Sequence, residues 1–109
     1  MKLSSNFQGP DLVITILANR IDASVALQFK EAMRVETEVA SDRIILDMTQ
    51  VEFVDSSGLG AIVGAMKQNG EARPFELVGL SKAVKKVFQL TRMDTVFTIY
   101  GTLDIALSA

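Results

Sequence analysis

The stretch Arg43-Ile44-Ile45-Leu46-Asp47 sets three consecutive apolar residues between polar ones. Side chains along a strand point alternately to its two faces, so a run without alternation must be covered on both sides. It reads as a central strand. A helical period follows, with Leu59, Ile62, Val63 and Met66 on one stripe and Asn69-Gly70 as a stop signal. A doubly covered strand leading into an amphipathic helix is the repeating unit of an α/β layer structure.

Working outward, the neighbouring segments repeat this alternation. Leu12–Leu17 is rich in β-branched residues, follows the turn signal Gly9-Pro10-Asp11 and reads as a strand, with Lys2–Phe7 as a weaker partner. Val25, Phe29 and Met33, with Ala26 and Ala32 beside them, predict a helix from about Ala23, capped by Asp22 or Ser24. Residues 48–56 read as a connection in which Val51, Phe53 and Val54 pack inward. Downstream, Phe75-Glu76-Leu77-Val78 is a strand. Ala83, Val84, Val87 and Phe88 mark a helix capped by Ser81, Val96–Tyr100 a last strand, and Leu103, Ala106 and Leu107 a short terminal helix. Strands alternating with helices imply crossover connections within one domain spanning residues 1–109.

Composition narrows the chemistry. The 109 residues are 49% hydrophobic and 22% charged, enough to bury about two-thirds of the unfolded surface in a single core. Net charge is −2 and the Lys and Arg residues are scattered, so the concentrated basic face that nucleic-acid binding needs is lacking. With no cysteine, disulfides and thiolate metal sites are excluded. The absence of histidine removes Ser-His and Cys-His catalytic pairs, histidine metal sites and the usual general base. No cofactor is implied, and the expectation is a non-enzyme. The first residues lack the apolar core of a signal peptide, and Leu12–Ala18 falls far short of the ~20 residues that cross a bilayer. A soluble, cytoplasmic protein without membrane contact is expected.

The chemically informative stretch is Asp55-Ser56-Ser57-Gly58-Leu59-Gly60 at the head of the central helix. Asp and Ser are good caps, yet two glycines follow at once, each costing about 1 kcal/mol relative to alanine inside a helix and less near its end. No Glu or Gln stands three residues after a cap to complete a capping box. A nucleophile elbow fails because Asp55 and Leu59 occupy its glycine positions and no histidine exists. A dinucleotide loop fails at Val63, and the Gly-Lys-Ser/Thr of a Walker loop is absent. Plain capping accounts for the hydroxyls but not for the paired glycines. Beside capping with the glycines in tight packing stands a second reading, covalent phosphorylation of a serine. It adds about −1.5 to −2 charge, which the positive end of a helix dipole tolerates, so the fold survives while the surface turns acidic.

The run from Asp47 to Ile62, with Asp-Ser-Ser-Gly-Leu-Gly at 55–60, resembles the signature of STAS-domain anti-sigma factor antagonists. The resemblance extends to Arg20-Ile21-Asp22, to Leu77–Val84 and to Leu90–Phe97. It implies a four- or five-stranded mixed β-sheet flanked by about four α-helices. It also implies partner switching: the unmodified protein binds an anti-sigma factor that is itself a serine kinase with a histidine-kinase-like ATPase fold, releasing the sigma factor. Phosphorylation ends the association, and a metal-dependent serine phosphatase restores it. The phosphoacceptor implied is Ser57. The partner-binding set is Asp22, Asp55, Ser56, Ser57, Gly58, Leu59 and Gly60, in a chain that is a monomer when free. Two departures bear on partner choice: Ala18-Asn19 stands where the family often has glycine before the Asp22 loop, and Thr91-Arg92-Met93 where it often has Thr-Gly-Leu.

Plain alternatives accompany each position. Asp22, Asp55 and Ser56 also read as helix caps, Leu59 as core, and Gly58 and Gly60 as tight internal packing rather than close partner approach. At the level of the whole chain, the rival is a constitutive STAS subunit of a larger lipid-transport or stress-signalling assembly without phosphate turnover.

Overall fold

The computed structural model describes residues 1–109. β1 (Leu3–Gln8) and β2 (Asp11–Ile16) form an antiparallel hairpin at one edge of a five-stranded mixed sheet. Numbered in chain order, β3 (Arg20–Ile21) and β5 (Phe53–Val54) stand apart from that sheet as a parallel two-stranded ribbon. β4 (Arg43–Asp47), β6 (Phe75–Val78) and β7 (Thr98–Tyr100) add to β2 in parallel, giving the order β1-β2-β4-β6-β7. The connecting helices are α1 (Ala26–Glu36), α2 (Ser56–Asn69) and α3 (Lys82–Leu90), and α4 (Leu103–Leu107) follows the last strand.

The apolar run at 44–46 lies at the centre of the sheet, as its lack of alternation predicts. Ile44, Ile45 and Leu46 are all fully buried. Ile44 and Leu46 join Leu12, Ile14, Ile16, Phe75 and Leu77 on the face covered by α1, α2 and α3, which bring Phe29, Met33, Ile62 and Phe88 to it. Ile45 points the other way, packing with Val13 and Val78 against Ala106 of the short α4. Each such residue contributes about 1.5–3 kcal/mol relative to leaving it in water. The 20-residue cluster, rather than helix propensity, therefore holds the three long helices down. On the thinner α4 face Arg43 donates to Asp11 at 2.7 Å, to Glu76 at 2.9 Å and to the Ala106 carbonyl at 2.9 Å, tying three strands and α4 together.

Four elements differ from the sequence reading. α1 begins at Ala26 rather than near Ala23, and neither Asp22 nor Ser24 caps it: Val25 occupies the N-cap without a side-chain bond. The Asp22 carboxylate instead takes the Ser24 N–H and hydroxyl, closing a local turn that holds the chain out of helix. α2 starts at Ser56, earlier than its apolar stripe, because Asp55 caps it. Phe53, expected inside, is 46% exposed; only Val51 and Val54 of that connection are buried. The last strand shortens to Thr98–Tyr100 because Met93–Thr95 form a 3₁₀ turn after Arg92, the one non-glycine residue with positive φ (62°). Elsewhere Ser81 caps α3 by accepting from Val84 N–H, and Gly70 ends α2 at φ 86°, a conformation glycine adopts without strain. No helix is long and apolar enough to cross a membrane.

Candidate functional site

The site is built where the β3–β5 ribbon meets the first turn of α2. In the ribbon, Arg20 pairs with Phe53 and Ile21 with Val54, and the buried side chains of Ile21 and Val54 anchor it to the core. The ribbon matters because its end carries Asp22 on one strand and Asp55 on the other. Asp55 is extended (φ −96°, ψ −176°), as an N-cap residue must be, and one carboxylate oxygen accepts the Gly58 N–H at 2.8 Å. Its other oxygen accepts the Ala23 N–H at 3.1 Å. A single carboxylate thus closes the helix end and clamps the loop that leads into α1. Asp55 is thus a structural joint that remains partly exposed.

The two glycines have opposite environments. A Cβ placed on Gly58 would lie 1.9 Å from the Ile21 carbonyl oxygen, so this glycine exists to let α2 lie directly on β3. The expectation that Gly58 serves close partner approach is corrected: the close approach is internal, and the residue is buried. Around Gly60 no atom lies within 4 Å of an added Cβ, and the residue is exposed. Leu59 is 8% exposed and belongs to the core, as its helical spacing with Ile62 predicts.

Ser56 and Ser57 occupy the first two helical positions, both exposed. Asp22 lies half-buried beside Arg20, with Nε to carboxylate 3.1 Å. The Ser24 hydroxyl, which donates to Asp22, lowers its carboxyl below the ordinary aspartate value of 3.8; burial is the next largest effect and opposes it, while the Ser24 N–H and the Arg20 charge add smaller lowering contributions. Arg20 in turn lies over the Phe53 ring, 5.1 Å from its centroid, which explains why an aromatic residue stays at the surface here.

On the other side of the helix tip an open, mostly apolar hollow of about 570 Å³ separates α2 from α3. Ser56, Leu59, Gly60 and Val63 form its α2 wall; Val87, Thr91 and Met93 form the opposite one, with Val54 and Asp55 at the end. The sequence reading did not see this hollow. Val87 looked like core in the helical stripe, and its true neighbour across the gap is decided by how α3 docks. Arg20 and Phe53 were also missed, because a two-residue ribbon has no periodicity to detect.

The face presents the exposed hydroxyl of Ser57 at the helix start. Asp55, the nearest carboxylate along the chain, has both oxygens committed to N–H groups.

The STAS domain family matches residues 4–106. The anti-sigma-B factor antagonist of Listeria monocytogenes is 35% identical over 91 residues, covering 82% of this chain and 79% of its own. Among solved structures, an anti-sigma factor antagonist from Mycobacterium paratuberculosis superposes with a TM-score of 0.87 at 24% identity, covering 98% of this chain and 91% of the other. The Bacillus cell fate determinant SpoIIAA in its phosphorylated form shares the fold at a TM-score of 0.68 and 22% identity, over 98% and 97% of the two chains.

Proposed function

The chain belongs to the STAS-domain family of anti-sigma factor antagonists, and from that premise we propose that it is a phosphorylation-controlled partner switch acting in the cytoplasm. Unmodified, it binds an anti-sigma factor that is also a serine kinase, and the sigma factor is released. Transfer of a phosphoryl group from ATP to the Ser57 hydroxyl ends the association, and a metal-dependent serine phosphatase restores it by hydrolysis.

The observation that carries this reading is the placement of Ser57. It is exposed on the first turn of a helix whose start is pinned independently, by Gly58 against Ile21 and by Asp55 to Gly58 and Ala23. A phosphoryl group there disturbs no core residue, and the helix dipole tolerates its charge. What changes is the face offered to a partner: bulk and about two negative charges arrive among Asp22, Asp55, Ser56 and the open backbone at Gly60. Together with the adjoining hollow, these residues form the docking surface. The phosphorylated form of SpoIIAA lends support from a protein of the same fold.

The test is incubation with the purified anti-sigma factor and ATP. A phosphate-dependent mobility shift that disappears in Ser57→Ala, with association lost in Ser57→Asp, supports the switch. Association that persists unchanged in Ser57→Asp refutes it and points to a constitutive subunit of a larger assembly.

A further inference from the structure

The turn between β3 and α1 sends one backbone donor across the site. Asp22, Ala23, Ser24 and Val25 form a four-residue turn, closed by the Val25 N–H on the Asp22 carbonyl at 3.1 Å. The Asp22 carboxylate takes the Ser24 N–H at 3.0 Å together with the Ser24 hydroxyl. The Ala23 N–H serves neither the turn nor α1, which begins at Ala26. It donates instead to one carboxylate oxygen of Asp55 at 3.1 Å, while the other oxygen accepts the Gly58 N–H at 2.8 Å. Behind this pair the Ile21 carbonyl accepts the Asp55 N–H at 3.3 Å and leaves no room for a Cβ on Gly58. The turn before α1 therefore grips the start of α2 on both sides of Ser57.

A helix cap needs a single acceptor, and a serine at position 55 could supply it. The second oxygen of Asp55 adds something that capping does not require. Its bond to Ala23 fixes the rotation of the carboxylate, and so the seat of the Gly58 N–H. That bond lies at the surface, where water competes for both partners, so it contributes more to geometry than to stability. Ser57 is the second residue of α2, between the two gripped positions, and its hydroxyl inherits its place from the backbone of that turn.

We propose that Ala23 is a positioning residue for phosphoryl transfer: its N–H, acting through Asp55, holds the Ser57 hydroxyl in line for attack. This rests on the switch reading of the site and adds to it a distant segment that sets the acceptor's geometry. In the step itself the Ser57 oxygen bonds to the γ-phosphorus of ATP as the bond to the bridging oxygen breaks. ADP leaves, and the hydroxyl proton passes to a base of the kinase. Such a reaction depends mainly on alignment of the attacking and leaving oxygens, and a misplacement of about 1 Å can cost about a hundredfold.

The experiment follows phosphorylation of the full chain by the purified anti-sigma factor and ATP, with kcat, KM for the chain and the melting temperature measured for each variant. In Ala23→Pro a ring carbon replaces the N–H, and proline is favoured at the second position of a turn, so the fold persists and melts within a few degrees of wild type. Its kcat falls about tenfold while KM changes by less than about twofold. Ala23→Gly keeps the N–H and keeps the wild-type kcat. Asp55→Ser still caps Gly58 but does not reach Ala23, so it cuts the same bond from the other end and carries the test by itself. It loses about as much kcat, and the double variant loses little more than either single one. Wild-type kcat in Ala23→Pro or in Asp55→Ser overturns the proposal, as do losses that multiply in the double variant. A kcat that falls only in step with the folded fraction overturns it too, because that is what a purely structural bond would give. If wild type is phosphorylated and the variants match it, the switch stands and only the role of Ala23 falls. If wild type itself takes no phosphate, the switch fails and the proposal with it.

Discussion

Replacing Gly58 by alanine should destabilise the domain even though alanine is the better helix former. The gain in helix propensity is at most about 1 kcal/mol, and less near a helix end. Against it stands the new methyl group, 1.9 Å from the Ile21 carbonyl oxygen and 2.7 Å from its carbon. Both are backbone atoms, so no side chain can swing aside, and β3 must retreat by more than about 1 Å to restore contact distance. That retreat breaks the Asp55 N–H bond to the Ile21 carbonyl (3.3 Å) and pulls Ala23 from Asp55 (3.1 Å). Overpacking a tight site costs about 1–3 kcal/mol, and backbone opposition places this case at the upper end. The net loss is about 2 kcal/mol, which for a domain of this size lowers the melting temperature by roughly 10 °C. Gly60→Ala is the matched control, because its methyl meets nothing within 4 Å. It should be neutral or stabilising by up to about 1 kcal/mol through a less disordered unfolded state. Urea unfolding followed by circular dichroism measures both. If Gly58→Ala proves as stable as wild type, or if Gly60→Ala falls equally far, the assignment of one glycine to packing and the other to the surface is wrong.

Further outcomes follow from the same geometry. Ser57→Asp should weaken binding of the anti-sigma factor by a factor of about a hundred or more while shifting the melting temperature by only a few degrees, read by calorimetry. A synthetic peptide spanning residues 50–64 should be a far poorer kinase substrate than the folded chain, because Ser57 is presented by a helix end that the tertiary contacts of Gly58 and Asp55 hold in place; equal kcat/KM for the two disproves this. Asp55→Ser should keep the cap on Gly58 but not reach Ala23, so amide exchange at Ala23 should quicken about tenfold with little change in the core. The Asp22 carboxyl should titrate with a midpoint below 3.8 by carbon-detected NMR, and Ser24→Ala should move it up. Because its folded value is the lower one, the turn it holds is intact above pH 3.8 and is lost as pH falls through the folded midpoint.

Much of this molecule is determined by local pattern. Ile44-Ile45-Leu46 has to be covered on two faces wherever it lies, and Leu59, Ile62 and Met66 make a stripe in any amphipathic helix, so the α/β layering and the central strand were legible from the chain alone. The same holds for Ser81 and Gly70, whose capping roles depend on the backbone next to them. Position in the sequence marks Ser56 and Ser57 alike as hydroxyls at a helix start, and it was the resemblance of Asp55–Gly60 to the family signature that singled out Ser57. What tertiary structure alone decided were contacts between segments distant in the chain. Gly58 and Gly60 look alike in sequence, yet only Gly58 meets the Ile21 carbonyl. Asp55 reads as a cap, and its second bond to Ala23 exists only because β3 and β5 pair. The hollow appears where α3 stops short of α2, and Phe53 stays outside because Arg20, across the ribbon, covers its ring. Periodicity reports which face of an element is apolar; it carries no information about which other element arrives there, since burial energy is non-directional and the geometry of docking is set by the whole core.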